Sequence, residues 1–349
     1  CATLSEGQQK QCWQDLIILT MNNDGFDKAF DRMAELHKLE PLFREACHDI
    51  THKLGTSAHT MFVSGKDFEV SVQSTICSFG FYHGFMETLV RSGYEISSAQ
   101  KFCSYVDGKL AKEAPNAVFS CYHGIGHGLT DLHDKSEWGD ERAMIKPALV
   151  ICKKIAASEK QLLLCATGVF DSIALAYYNK AYGMEIKKDD PLWLCEEQPE
   201  EFKRPCYMDM MPAILWLGGQ NLAGSAPYVE KFVPDTYAAI AIQSLSANSV
   251  RFTIQSDGTK PDVSTCRSLK KPLYFPCIEG LAKGVMEFGT PGIEYKGALD
   301  FCLGSGISEQ ERVPCIKSVL SYSSERYSQN KFIDICATLD VSYQPLCKQ

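Results

Sequence analysis

Apolar residues recur along this chain at helical spacing, and a cysteine marks the same point in each recurrence. Cys77-Ser-Phe-Gly-Phe-Tyr-His-Gly-Phe-Met-Glu aligns with Cys121-Tyr-His-Gly-Ile-Gly-His-Gly-Leu-Thr-Asp. Cys165-Ala-Thr-Gly-Val-Phe-Asp-Ser-Ile-Ala-Leu and Cys277-Ile-Glu-Gly-Leu-Ala-Lys-Gly-Val-Met-Glu follow the same pattern. Each segment carries a glycine three residues after the cysteine (Gly80, Gly124, Gly168, Gly280). A second small residue lies four further on (Gly84, Gly128, Ser172, Gly284). Positions four apart share one face of a helix, so each predicted helix has a stripe with almost no side chain. Glycine costs about 1 kcal/mol per helical position relative to alanine. A cost repeated at equivalent positions points to very close helix–helix contact.

The first cysteine of each pair ends a shorter apolar segment, as in Ala99-Gln-Lys-Phe-Cys103 and Ala298-Leu-Asp-Phe-Cys302. Pro205, Pro276 and Pro314 stand directly before a second cysteine, where proline is expected at a helix start. The unit is short helix, Cys, linker, Cys, long helix. The expected fold is all-α: disulfide-stapled helical-hairpin repeats stacked as a solenoid or compact helical array. The architecture is similar to that of tetratricopeptide arrays, although the residues diagnostic of that family are absent. Two stretches break the pattern. Residues 56–76 read as a long insert. Residues 218–265 read as a small irregular or β-containing insert, with a strand signal at Val250–Ile254 followed by Asp257-Gly258. The expected organisation is N-terminal repeats over 1–217, the insert over 218–265 and C-terminal repeats over 266–349. The Met- and aromatic-rich run from Pro205 to Trp216 reads as core on one long helix.

Sixteen cysteines is an even and high count, the usage of an oxidising compartment. Recurring gaps favour sequential pairing. Cys1–Cys12, Cys195–Cys206, Cys266–Cys277 and Cys336–Cys347 enclose ten residues each. Cys152–Cys165 and Cys302–Cys315 enclose twelve, and Cys47–Cys77 and Cys103–Cys121 complete the set. Each short loop so closed contributes about 3 kcal/mol on the chain-entropy model.

Histidine is distributed very unevenly. All eight lie between His37 and His133, and none follows. His48 and His52 are four apart, as are His123 and His127, with Asp131 four further on; His83 and Glu87 are also four apart. Such i,i+4 pairs point in one direction and can grip one ion. His83, His127 and Asp171 each lie six residues after their cysteine, so stacking would face them into one groove. The expected ligands are His48, His52, His83, His123 and His127, with Glu87 and Asp131 as ligand or general base. His59, His133 and Asp171 are secondary candidates, and His37 reads as a surface residue. Five imidazoles with carboxylates suit zinc, iron, copper or manganese in a mono- or dinuclear site. His48-Asp49 is too short a motif to name an activity. There is no His-Glu-x-x-His, Gly-x-Ser-x-Gly, P-loop or Cys-x-x-Cys-His.

A formal net charge of -8 gives no electrostatic footprint for nucleic acid. No apolar run reaches the roughly 18 residues of a spanning helix. With Cys1 first and no signal-peptide pattern, the chain reads as a mature product that is secreted, periplasmic or on the cell surface. These features predict an exported metalloprotein, as a metal-dependent hydrolase or oxidoreductase. The alternative is a non-enzymatic extracellular helical-repeat scaffold that takes a small molecule, a peptide or further copies of itself.

Overall fold

The computed structural model describes residues 1, 3–64, 69–93, 96–130, 135–257 and 261–348. Helices run in the order α1 (Glu6–Asp24), α2 (Phe26–Leu39), α3 (Pro41–Val63), α4 (Gly80–Arg91), α5 (Ile96–Leu110), α6 (Ala117–Thr130), α7 (Glu141–Ile155), α8 (Glu159–Asn179) and α9 (Trp193–Glu196). They continue with α10 (Glu200–Asp209), α11 (Met211–Leu217), α12 (Leu222–Phe232), α13 (Asp235–Asp257), α14 (Ser264–Ser268), α15 (Lys271–Phe288), α16 (Glu294–Cys302), α17 (Glu309–Arg326) and α18 (Gln329–Ala337). The described residues contain no strand.

Local chemistry sets the helix starts. Ser5 with Gln8, and Ser308 with Glu311, form capping boxes at α1 and α17. The Asp140 carboxylate accepts from the amides of Arg142 and Ala143, and Ser158 from that of Gln161. The expectation from the prolines is corrected. Pro205, Pro276 and Pro314 lie inside α10, α15 and α17, because the starts are set upstream. The Val250–Ile254 strand reading is also corrected. That segment is helical, within α13. Ala238, Ala241, Ile242, Leu245 and Val250 are buried at helical spacing, and packing of that face on α15 overrides a short β-branched run. Residues 56–63 continue α3. The 205–216 run is core as expected, but it breaks between α10 and α11 at Met210.

All eight disulfides follow the sequential pairing. Cys103–Cys121 joins α5 to α6, Cys152–Cys165 joins α7 to α8, and Cys195–Cys206 joins α9 to α10. Cys266–Cys277 joins α14 to α15, and Cys302–Cys315 joins α16 to α17. The long members pack in sequence, α3 on α4, α4 on α6, α6 on α8, α8 on α10 and α10 on α13. α13 then packs back on α3 and also carries α15, which carries α17.

The glycine stripes make this packing close. A Cβ on Gly84 would collide with the His52 carbonyl, and one on Gly168 with the His123 carbonyl. One on Gly80 would stand 2.7 Å from the His48 carbonyl. Each of these contacts sets a histidine-bearing segment directly against its neighbour. Among the described residues one helix, α8, is long and apolar enough to cross a membrane by length and composition. In the folded chain 56% of its apolar window is buried, and it carries Asp171.

Candidate metal centre

α3, α4 and α6 bring five imidazoles together. Ring centroids are 4.7 Å apart for His48 and His52, and 4.8 Å for His123 and His127. The His83 ring lies between the pairs, 5.3 Å from His48 and His52, 4.8 Å from His123 and 5.3 Å from His127. Two triads could hold a metal ion, His48/His52/His83 and His83/His123/His127, with one nitrogen of each residue within 4.8 Å of the others.

Hydrogen bonds outside the cluster orient three of the rings. His48 Nδ1 donates to the Cys77 carbonyl at 2.9 Å. That carbonyl belongs to a turn with left-handed backbone at Cys77, Ser78 and Phe79, a costly geometry for non-glycine residues. The Cys47–Cys77 disulfide and a bond from Ser78 Oγ to the Glu287 carbonyl help hold it. The Thr167 hydroxyl gives its proton to the Leu164 carbonyl, so it accepts from His123 Nδ1 at 2.8 Å. Ser172 donates to the Gly168 carbonyl and accepts from His127 Nδ1 at 3.0 Å. These partners assign the tautomers: in the neutral rings, the Nε2 lone pairs point inward.

The inward atoms converge. His48 Nε2 and His52 Nε2 are 3.1 Å apart, and His123 Nε2 and His127 Nε2 are 3.0 Å apart. Asp171 Oδ2, from α8, lies 3.1 Å from His127 Nε2 and 3.8 Å from His123 Nε2. Metal–nitrogen bonds of 2.0–2.1 Å in tetrahedral geometry place two ligands roughly 3.3 Å apart, which is the scale seen here.

Glu87 is placed differently. Its Oε2 lies 3.7 Å from His52 Nδ1 and its Oε1 3.6 Å from His127 Nδ1, beside the nitrogens opposite the converging pairs. Glu87 and His52 also line a cleft of about 470 Å3 with Lys53, Thr56, Thr88, Arg91 and Ser92. Solvent therefore reaches the edge of the cluster.

Electrostatics follow from burial and crowding. Burial, then the neighbouring His52, pushes His48 down to about 3. Burial, then His123 and His127, holds His83 well below the ordinary imidazole value. Burial raises the Glu87 carboxyl, but bonding to His52 and the charge of His127 outweigh it and bring it to about 2. Burial likewise opposes ionisation of Asp171, and the His123 and His127 rings reverse that, holding it well below the usual carboxylate range. Asp209, at the end of α10, is pushed well above that range by burial and then by Asp171.

The remaining candidates lie elsewhere. Asp131 and His133 fall outside the described residues. His59 stands against Ser92 Oγ at 3.2 Å and Phe85, away from the triads. Asp49 is exposed on α3. His37 is corrected from surface to core. It is 5% exposed, because the apolar face of α2 continues through Met33 and Leu36 to include it. Thr167, Ser172 and Asp209 were not singled out as site residues from the sequence. Thr167 did carry a signal, since it occupies on α8 the register position of His123, two residues after the cysteine. No protein-family model, curated protein or solved structure matches this chain.

Proposed function

We propose that this is an extracytoplasmic metalloprotein in which His48, His52, His83, His123, His127 and Asp171 hold one or two transition-metal ions, acting as a metal-dependent hydrolase or oxidoreductase. The observation that carries this reading is the meeting of His123 Nε2, His127 Nε2 and Asp171 Oδ2. In the neutral rings, with both Nδ1 protons given outward, three lone-pair atoms face one point, and a cation is what such an arrangement binds. Imidazole dominance suits zinc, copper or iron. A bound ion supplies Lewis acidity at a redox-silent metal or electron transfer at a redox-active one. Glu87 holds His52 from outside, and its place at the cleft suits it to take up or deliver a proton. Eight disulfides fit an extracellular protein.

We read the stapled hairpins as copies of one unit whose array closes through α13 on α3. The histidine-free hairpins of α15 and α17 support a scaffold role for the C-terminal part. The test is metal content by plasma mass spectrometry on protein purified without chelator or affinity metal. The expected result is one or two equivalents of metal in the native chain, lost in His123→Ala/His127→Ala. A folded, disulfide-intact chain that holds no metal even after reconstitution would overturn the reading and leave the scaffold role.

A further inference from the structure

Of the five rings, His83 alone has neither an outer hydrogen bond nor a facing carboxylate among the described residues. His48 is held by a carbonyl, His123 and His127 by hydroxyls, and His52 faces a carboxylate. The His83 Nδ1 is buried with no hydrogen-bond partner. An unsatisfied buried polar atom costs about 1–3 kcal/mol, so its retention at the centre of a polar cluster calls for a ligand. The ring belongs to both triads and is nearly equidistant from the two pairs. The other four each turn one nitrogen inward and commit or face the other outward; His83 has two nitrogens and a pair of imidazoles on either side.

From this we infer that His83 bridges two metal ions, one held by His48 and His52 and the other by His123, His127 and Asp171. This rests on the metal-site reading above and extends it from a site to a coupled dinuclear centre. Ligation of the first ion uses the ring's lone pair. Ligation of the second breaks the remaining N–H bond and forms a metal–nitrogen bond in its place. One proton is released, leaving through the cleft at Glu87, and no electron is transferred. The bridge fixes the two ions on opposite edges of one imidazole, where an imidazolate couples their electronic states. The outer bonds on His48, His123 and His127, and the Glu87 carboxylate that faces His52, are what keep those four rings terminal.

The test uses the full chain with its disulfides intact, stripped of metal and titrated with Cu(II). Bound copper is measured by mass spectrometry, and spin intensity by electron paramagnetic resonance at low temperature. The expected result is two coppers per chain, with spin intensity that grows with the first equivalent and falls as the second binds. In His83→Ala, checked for fold by circular dichroism, whatever copper remains is expected to give its full spin intensity. Two coppers with two full, uncoupled spins in the native chain would overturn the bridge while leaving the metal site. A single copper per chain would do the same. No copper at all would remove the metal site itself. The native chain decides the question alone if the variant does not fold.

Discussion

Thr167 and Ser172 show how much of this site rests on residues that would not touch an ion. Each gives its own proton to a helix carbonyl one turn back and so can only accept from a histidine. Outer partners of this kind typically contribute 10–100-fold to metal affinity. Thr167→Val and Ser172→Ala are each expected to weaken binding by about that factor, measured by competition with a chelator. Unchanged affinity would mean that packing alone orients the rings. His37 gives a separate single-residue expectation. Burial, then the charge of Arg44, lowers it to about 4. The unfolded ring titrates near 6.5, so between these values the unfolded chain binds more protons and stability falls as pH falls. The His37 contribution is intact above about pH 6.5, and its loss is about 2 kcal/mol by pH 5. Urea midpoints from pH 7.5 to pH 5 should fall less steeply in His37→Asn than in the native chain. Equal slopes would rule out His37 as a source of the acid sensitivity.

At the scale of elements, glycine decides how near α3, α4, α6 and α8 can lie. Gly168 packs on the His123 carbonyl and Gly84 on the His52 carbonyl, so a methyl group at either point pushes on a backbone that carries ligands. Overpacking of this kind costs about 1–3 kcal/mol. Gly168→Ala is expected to show that loss in urea denaturation and also to lower metal content. Gly108, on α5, has open space where a Cβ would stand. Gly108→Ala should therefore stabilise by about 0.5–1 kcal/mol with no change in metal. If both substitutions behaved alike, close approach would not be the reason for the glycines. The histidine pattern within each helix was legible from the sequence because i,i+4 spacing is a property of one helix. The inward or outward placement of Glu87 was not, because it depends on how α4 is rotated against both α3 and α6.

Across the whole molecule, the C-terminal helices brace the histidine-bearing ones. The amide of Asn116 bonds the Glu325 carbonyl at 2.9 Å, and Ser78 Oγ bonds the Glu287 carbonyl at 3.0 Å. The Arg326 guanidinium lies 5.3 Å from the Phe79 ring centroid and pairs with Glu294 at 2.7 Å, both ends of the pair being buried. Removing one member of a buried pair costs about 3–5 kcal/mol. Glu294→Ala is expected to lose that much, read as a lowered urea midpoint. A loss below about 1 kcal/mol would place the pair in the solvated class. The disulfides are not equivalent at this scale either. Cys47→Ala/Cys77→Ala releases the turn whose carbonyl holds His48 and should cost about 4 kcal/mol together with metal affinity. Cys336→Ala/Cys347→Ala, at the far end of the chain, should cost stability alone. Equal metal loss in both would show that general loosening, not the turn, controls the site.

Read alone, the chain determined whatever is local. Cysteine spacing anticipated all eight disulfides, since each joins neighbours in sequence. Helical period and the small-residue stripes anticipated the helices and their close packing. The His-x3-His pairs anticipated which rings share a face. The tertiary structure decided what depends on register between helices distant in sequence. It brought Asp171 onto His127 from 44 residues away, set the unpartnered His83 between the two pairs, placed Asp209 beside Asp171 and folded His37 into the core. It also turned Val250–Ile254 into helix, because the packing of α13 on α15 outweighs a five-residue preference. Backbone period is a short-range property written residue by residue. The position of one helix against another comes from summed side-chain contacts, which no single segment encodes.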